Sequence, residues 1–196
     1  MSTLPIIIVP HPTLRLPAKP VMAVTPELQR LVVELAATLD SKRRPSGVGL
    51  AAPQVNQLWR IFSLKLDLQN PRRGSGKVTL TTMINPIITK HSLERSLGPD
   101  SKNPALEGCL SMPGLYGPVP RWEWIDLEFS ELQNGQLISQ KLHLVDFPAR
   151  VAQHEADHLE GILFTDYANE YDLPVYQEDK KGDLIEIEDR SLLAYL

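Results

Sequence analysis

A helix with two histidines one turn apart is the feature that most restricts how this chain folds. Residues 146–161 read DFPARVAQHEADHLEG, in which Asp146 is a suitable helix N-cap, Pro148 falls in the first turn and Gly161 ends the helix. Residues four apart project from the same helix face, so the imidazoles of His154 and His158 can converge on one cation. The pattern predicts a metal-binding helix. The alternative is a helix without a metal, in which the two histidines and the acid are ordinary surface residues.

A two-histidine site needs a third ligand, and the sequence leaves more than one candidate. No histidine follows His158; Glu160 lies too close along the helix to complete the site easily, whereas Glu170 could serve. The other candidate is the single thiol, Cys109, in EGCLSMPG. A lone cysteine is most often a buried, inert side chain, but a Gly-Cys turn flanked by polar residues is not typical of a packed core. Two histidines, a cysteine and a water form a known open catalytic geometry.

Two further features carry candidate catalytic groups. Glu155 is rotated by about 100° from His154 on a helix, so it can reach a water beside the metal without ligating the ion. Residues 47–55, GVGLAAPQV, are too rich in glycine for a regular helix. They form either a structural turn or a loop whose glycines let a substrate backbone approach, with Gln54 offering amide donors.

Composition and charge restrict the class of protein. A chain of 196 residues with 42% hydrophobic and 22% charged residues is expected to fold as one domain, residues 1–196. The net charge of −4 argues against nucleic acid as the main substrate and favours small or peptide substrates. One cysteine cannot form an internal disulfide, and the apolar run at 6–9 is too short for a signal peptide or a membrane span. We therefore expect a cytoplasmic protein without membrane contact.

The N-terminal part predicts an extended arm followed by a helix. Residues 1–24 contain five prolines, which favour an arm lying on the domain. Thr25 is a good N-cap and Pro26 occupies the favoured first helical position. One apolar stripe at helical spacing follows, formed by Leu28, Leu31, Val32, Leu35 and Leu39.

The middle of the chain predicts strands separated by loops. We expect an extended segment at 59–66, an exposed loop at 69–77, and a strand at 78–88 that is broken at Pro86. A polar insertion loop is expected at 91–106.

Two hairpins are predicted in the second half. Apolar residues alternate at 125–129 and 138–144 on either side of an Asn-Gly pair at 134–135, the strongest short-range hairpin signal. A second hairpin is possible at 175–188.

Three stretches together resemble the signature motifs of one family. GVGLAAPQV, EGCLS and QHEADHLEG, at 47–55, 107–111 and 153–161, are similar to the three motifs of the peptide deformylases and occur in that family's order. Residues of the arm and Val-Pro-Arg at 119–121 add to the resemblance, which spans roughly 6 to 167.

The resemblance implies an α+β fold in which antiparallel β-sheets pack around a central metal-binding HExxH helix, with a second, N-terminal helix on the outside. It implies a metal-dependent hydrolase that removes the N-formyl group from the formylmethionine of newly made polypeptides and releases formate. Residues 168–196 would be a variable C-terminal tail.

The resemblance also assigns roles by position. The implied metal ligands are Cys109, His154 and His158. Glu155 would be the general acid and base, while Gln54 and the backbone N–H of Leu110 would donate to the oxyanion. Gly49 would hydrogen-bond the substrate backbone, and Val48 and Val151 are candidates for the walls of a methionine pocket.

The implied cofactor is one divalent ion per chain. The resemblance suggests iron as Fe²⁺ in the cell, with Ni²⁺ or Co²⁺ as stable substitutes and Zn²⁺ poorly active, whereas ligand spacing alone would suggest zinc. The implied partners are N-formylmethionyl peptides and, through basic loops at 42–44 and 72–77, a transient ribosome contact, although solvated loops are the commoner reading. We expect a monomer.

Three departures from the family pattern concern the subtype and the pocket rim. Asp146 stands where many members carry glycine, the 91–106 segment looks longer than usual, and the tail lacks the long C-terminal helix of one subgroup. Two other functions remain open at this point, a zinc endopeptidase with a non-cysteine third ligand and a non-catalytic metal-binding protein.

Overall fold

The structure is a computed structural model, which describes residues 2–42, 47–68, 78–100 and 102–189. The exposed loop predicted at 69–77 and most of the basic loop predicted at 42–44 lie outside these residues. Within them, no helix is long and apolar enough to cross a membrane.

The described chain is α+β, with antiparallel sheets, as predicted. The helices are α1 (Pro26–Ser41), α2 (Asp146–Glu160) and α3 (Phe164–Glu170). The first strands are β1 (Gly49–Ala51), β2 (Ile61–Leu66), β3 (Thr79–His91), β4 (Arg95–Ser96), β5 (Leu106–Cys109) and β6 (Met112–Pro118). The later strands are β7 (Arg121–Trp122), β8 (Trp124–Gln133), β9 (Gln136–Val145), β10 (Tyr176–Glu178) and β11 (Leu184–Glu186).

The strands form a large sheet, a smaller sheet and a short pair. The large sheet has the order β1-β2-β3-β8-β9, the smaller one has the order β11-β10-β6-β5, and β4 pairs with β7. Strands β1 and β5 are therefore end strands of their sheets. Residues 176–186 of the predicted tail are built into the smaller sheet, because β10 pairs with β6 as well as with β11.

Helix α1 forms where its N-terminal signals place it. The Thr25 hydroxyl accepts the Leu28 N–H at 3.2 Å, and Pro26 occupies the first turn. Its apolar stripe is buried in a cluster with Leu50 and Ile61 of the large sheet, while Val33 on another face is exposed. The predicted N-terminal helix on the outside of the fold is confirmed.

Helix α2 is buried along most of its length, which is unusual for a helix with so many polar residues. Its small and apolar side chains Ala149, Ala152 and Leu159 pack against the large sheet. Its histidines face β5 of the smaller sheet. The helix ends as predicted at Gly161, whose φ is 73°; a β-carbon there would lie 2.7 Å from the Arg15 carbonyl.

The predicted N-cap of α2 is wrong. The N-cap is Val145, and Asp146 is the first helical residue, with a left-handed φ of 53°. Its N–H donates to the Glu123 carbonyl at 2.8 Å, which holds the chain in this conformation at the end of β9. Left-handed backbone is a conformation that glycine adopts most easily, and aspartate is one of the few other residues that accept it.

The strand predicted to break at Pro86 continues to His91. The pairing of β3 with β8 shifts register between Ile84 and Ile87, and Asn85 adopts a φ of 51°. A bulge is one of the places where a sheet accepts proline, because the missing N–H is then not needed for the ladder.

Both predicted hairpins are present. Strands β8 and β9 are joined by Asn134 and Gly135, both with positive φ, as the Asn-Gly pair requires. The second hairpin joins β10 and β11. The segment predicted as an insertion loop contains β4, so it is partly ordered by pairing with β7. That residues 1–196 form one domain stays a prediction.

The N-terminal arm fastens two of the motif segments to each other. The Ile7 N–H donates to the Gln54 carbonyl at 2.9 Å, and the Val9 N–H donates to the Ser111 carbonyl at 3.0 Å. Motif residues more than 50 positions apart are thus attached to one extended segment.

Candidate metal centre

Three ligand atoms predicted from the sequence meet at one point. The ligand atoms of Cys109, His154 and His158 all lie within 4.8 Å of one another. The Cys109 Sγ is 3.2 Å from His158 Nε2, and the two imidazole rings stand edge to face with centroids 5.0 Å apart. Strand β5 supplies the thiol at its last residue, and α2 supplies both imidazoles from one face.

The alternative third ligands lie elsewhere. Glu160 is exposed and pairs with Arg60 at 2.6 Å, and Glu170 is exposed at the end of α3. The expectation that Cys109 would lie in a turn outside a packed core is wrong in part. Cys109 ends a strand and is 8% exposed, and it packs in an apolar cluster with Met112.

The residues present fit a metal ion. One sulfur and two imidazole nitrogens are ligands that late first-row divalent metals accept. His154 uses its Nδ1 in a hydrogen bond, which leaves its Nε2 for the cluster. The Oε2 atom of Glu155 is buried beside these residues and has no hydrogen-bond partner among the described residues. A buried polar atom without a partner is costly unless another group fills the place beside it.

Glu107 fixes the orientation of His154. Its Oε2 accepts from His154 Nδ1 at 2.9 Å and from Arg121 Nη2 at 2.9 Å, and its Oε1 accepts from Arg121 Nε and Arg150 Nη1, each at 3.0 Å. Burial alone would raise the pKa of Glu107, but the charge of Arg121 and the hydrogen bonds from His154 and Arg121 hold it well below its usual range. The ionised carboxylate keeps the His154 proton on Nδ1.

Arg121 connects Glu107 to a second, partly buried carboxylate, that of Asp157. Its Nη1 donates to Asp157 Oδ2 at 2.5 Å, and its guanidinium lies 4.9 Å from the ring centre of Tyr167. The Tyr167 hydroxyl donates to Asp157 Oδ1 at 3.2 Å. Burial would lower the pKa of Arg121, but the two carboxylates raise it. These contacts tie α2, α3 and β7 together behind the ligand atoms.

A cleft with a cavity volume of about 360 Å³ opens onto the cluster. Every predicted site residue except His158 lines it: Val48, Gly49, Gln54, Cys109, Leu110, Val151, His154 and Glu155. His158 lies behind the others and is 1% exposed. The wall also contains Leu106, Tyr116, Phe147 and Arg150, for which the sequence motifs predict no role.

Gln54 points its amide nitrogen at the cluster. Its Oε1 accepts the Ala51 N–H at 2.8 Å, which fixes the amide, and its Nε2 lies 3.4 Å from the Cys109 sulfur and 3.2 Å from the Ser111 hydroxyl. The side chain is 1% exposed. A buried amide held in this way is a preoriented donor.

Glu155 is a buried carboxyl group with a raised pKa. Burial raises the pKa of Glu155 to about 7, although the charge of His154 acts against the shift. A group whose pKa lies near the working pH can both take up and release a proton.

Sequence reasoning missed the charged residues around the ligands. Glu107 and Arg121 stood in the motifs that carried the resemblance but received no role, and Arg150 and Asp157 were not singled out. One signal was available, since Arg150 and His154 are four residues apart and share a helix face.

Comparisons with known proteins identify one family. Residues 3–173 match the family described as "Polypeptide deformylase". The chain is 40% identical over 184 residues to peptide deformylase 2 of Nostoc sp., covering 93% of this chain and 94% of that protein. It is 38% identical over 169 residues to the peptide deformylase of Desulforudis audaxviator, covering 86% and 95%.

Solved structures show the same likeness. The class I type b peptide deformylase of Acinetobacter baumannii bound to Met-Ala-Ser superposes with a TM-score of 0.69 and 34% identity, covering 85% of this chain and 99% of that one. The peptide deformylase of Synechococcus elongatus in complex with actinonin gives a TM-score of 0.68 and 29% identity, covering 93% and 82%.

The fold and the site together define a metal-dependent hydrolase. The match over most of the length makes the assignment specific: the chain belongs to the polypeptide deformylase family. It therefore removes the N-formyl group from nascent polypeptides.

Proposed function

We propose that Cys109, His154 and His158 hold the catalytic ion and that Glu155, Gln54 and Leu110 carry out the chemistry on the formylmethionyl end of a new chain. One observation carries the proposal: three buried ligand atoms converge within 4.8 Å on the wall of a cleft, next to the unpartnered Oε2 of Glu155. Open sites with three protein ligands are typical of catalytic rather than structural metals.

The ion supplies Lewis acidity when bound, which polarises the formyl carbonyl and makes a neighbouring water acidic enough to ionise near neutral pH. We propose Fe²⁺ in the cell, with Ni²⁺, Co²⁺ or Zn²⁺ in purified protein. A thiolate with two imidazoles accepts each of these ions, and the resemblance to peptide deformylases favours iron.

Glu155 moves the proton. It takes a proton from the attacking water while the water oxygen bonds to the formyl carbon, and it then gives that proton to the amine nitrogen as the C–N bond breaks. Formate and a free methionyl amine are the products. The pKa of about 7 that burial gives Glu155 suits both transfers.

Gln54 and Leu110 stabilise the oxyanion. The carbonyl oxygen gains negative charge when water attacks, and the Gln54 amide and the backbone N–H of Leu110 donate to it. Gln54 is held by the Ala51 N–H, so it needs no reorientation during the reaction. One such donor is typically worth about 3 kcal/mol in the transition state.

The substrate backbone lies between two sheet edges. Strands β1 and β5 each end a sheet, and residues of both strands line the cleft. Edge strands bind extended peptides through main-chain hydrogen bonds, and Gly49 supplies one of these bonds. Val48 and Val151 form walls of the pocket for the methionine side chain.

The cellular setting follows from the substrate. Nascent formylmethionyl chains are met in the cytoplasm, where reducing conditions keep a cysteine ligand such as Cys109 as a thiol. We propose a monomer that contacts the ribosome transiently.

Metal analysis and one substrate pair test this function. Protein purified without air should contain about one divalent ion per chain and should release formate from formyl-Met-Ala-Ser. Unformylated Met-Ala-Ser is the matched control and should remain intact. Cleavage of the peptide bonds of Met-Ala-Ser would point to an endopeptidase, and inactivity of the metal-loaded protein on both peptides would contradict the proposal.

A further inference from the structure

Arg150 makes an unusual set of contacts on the wall of the cleft. The residue is 8% exposed, and its guanidinium donates to three acceptors from three segments. These are Glu107 Oε1 at 3.0 Å, the Val119 carbonyl at 2.6 Å and the Ser96 carbonyl at 2.9 Å. Burial lowers the pKa of Arg150. Arginine suits a buried position of this kind because its guanidinium presents several hydrogen-bond donors in a fixed planar geometry.

The bond from Arg150 supplies the last of four hydrogen bonds to the Glu107 carboxylate, which orients His154. A carboxylate has about four acceptor positions, and the four donors to Glu107 come from Arg121, Arg150 and His154. Arg121 is shared with Asp157, so it is not free to replace a lost donor. Without Arg150, Glu107 Oε1 keeps a single donor, so the carboxylate that orients His154 is held by three bonds instead of four.

The bond to Ser96 connects the same guanidinium to the rim of the cleft. Ser96 belongs to β4, in the segment expected to be an insertion. The Ala105 N–H donates to the Leu97 carbonyl at 2.7 Å, which closes this segment into a loop, and Ala105 and Leu106 line the cleft. The Arg150 side chain therefore contacts both Glu107, which orients His154, and Ser96, which lies at the base of the cleft wall.

We propose that Arg150 is a positioning residue that locks Glu107, and through it His154, while holding the 91–106 segment against α2. This inference rests on the proposed role of His154 as a metal ligand. Arg150 affects metal retention and turnover without touching the ion, and strand β4 contributes to metal retention through its bond to Arg150.

The test uses the nickel-loaded protein and follows transfer of Ni²⁺ to a chelator. Partners that orient a ligand typically change metal affinity or activity by about 10–100-fold, so Arg150→Met should release Ni²⁺ roughly tenfold faster than the wild type. Arg150→Lys keeps the positive charge but lacks the planar set of donors of a guanidinium. Its rate of Ni²⁺ release should therefore lie between the rates of the wild type and Arg150→Met. The kcat for formyl-Met-Ala-Ser should fall in the same order.

Arg95→Ala is the matched control. Arg95 lies next to Ser96, is exposed, and places its guanidinium over the Trp122 ring at 4.7 Å without touching Glu107. Its loss removes an arginine from the same segment, and Ni²⁺ release should match the wild-type rate.

The outcomes separate this inference from the proposed function. If the wild type does not hold Ni²⁺, or if His154→Ala holds it as well, the ligand assignment itself fails. The ligand assignment stands if the wild type holds Ni²⁺ and His154→Ala does not. If folded Arg150→Met then releases Ni²⁺ at the same rate as the wild type, only the role of Arg150 is overturned. Circular dichroism establishes folding; should Arg150→Met not fold, Arg150→Lys decides, and a wild-type release rate in that variant overturns the inference.

Discussion

Gly49 and Glu155 lie so close together that position 49 has no room for a side chain. A β-carbon built on Gly49 would be 2.7 Å from Glu155 Cδ and 2.8 Å from its Cγ. Gly49→Ala should therefore displace the carboxylate by a fraction of an ångström or more, and kcat for a formyl-Met peptide should fall by roughly 10²-fold, the cost typical of such misplacement. Steady-state kinetics on the metal-loaded variant measure the effect.

A double-mutant comparison checks the cause. If Gly49→Ala acts through Glu155, it should cost much less in a Glu155→Gln background than in the wild type. Equal losses in both backgrounds would mean that the alanine interferes with substrate instead.

Glu155→Gln should retain about one metal per chain and lose turnover. The amide occupies the same volume but cannot take up a proton, so the rate should fall by at least the ~10²–10⁴ typical of general acid–base catalysis. Metal analysis and formate release measure the two properties separately. Metal loss or a near-normal rate would remove Glu155 from the role of proton carrier.

Gln54→Ala should fold, bind metal and lose on the order of 10²–10³ in kcat. The loss falls on kcat because the donor acts on charge that develops in the transition state. Kinetics at saturating formyl-Met-Ala-Ser are the measurement. A change confined to KM would show that Gln54 only positions the substrate.

Cys109→Ser should weaken metal binding and abolish most activity, since a neutral hydroxyl is a far poorer ligand than a thiolate. The ligand set also predicts sensitivity to air. The iron form of the wild type should lose activity in air as the ion and the sulfur oxidise, and nickel loading should slow that loss markedly. Full metal occupancy and wild-type turnover in Cys109→Ser would place the third ligand elsewhere.

Tyr167 should give the stability a measurable dependence on alkaline pH. Burial, with the charge of Asp157, raises the pKa of Tyr167 from 10.0 to about 12. The unfolded chain thus loses this proton at lower pH than the folded chain, and stability falls as pH rises from about 10 to about 12. Tyr167→Phe lacks the bond to Asp157 and should be less stable at pH 8, with a smaller deficit near pH 11. Urea denaturation at the two pH values tests this, and a constant deficit would contradict it.

Local sequence signals were sufficient for the end of the helix that carries both histidines and for two elements away from the site, whereas β5, which carries Cys109, was expected to be a turn. Helix α2 ends at Gly161 as its sequence indicates, and the Asn134-Gly135 turn has the positive φ values that an Asn-Gly hairpin needs. The same holds for Thr25 at the start of α1. These features depend on neighbouring residues, so periodicity and turn chemistry identify them.

Contacts between residues that are far apart in the sequence could not be predicted from local sequence signals. Glu107 meets Arg150 across 43 positions, and Arg121 meets Asp157 across 36. Only folding brings such charges together; apart from the helical spacing of Arg150 and His154, their local sequence does not distinguish them from exposed charges. The left-handed Asp146 is a further case, because a carbonyl of another segment holds it there.

The shortness of the two edge strands beside the cleft limits how much of a chain the enzyme can inspect. Strand β1 has three residues and β5 has four, and a strand advances by about 3.3 Å per residue. If the substrate pairs with β1 as proposed, main-chain bonds to this strand cover about 10 Å of an extended peptide. On that binding mode, contact with the strand is confined to the formylated end, which is the part that all formylmethionyl chains have in common.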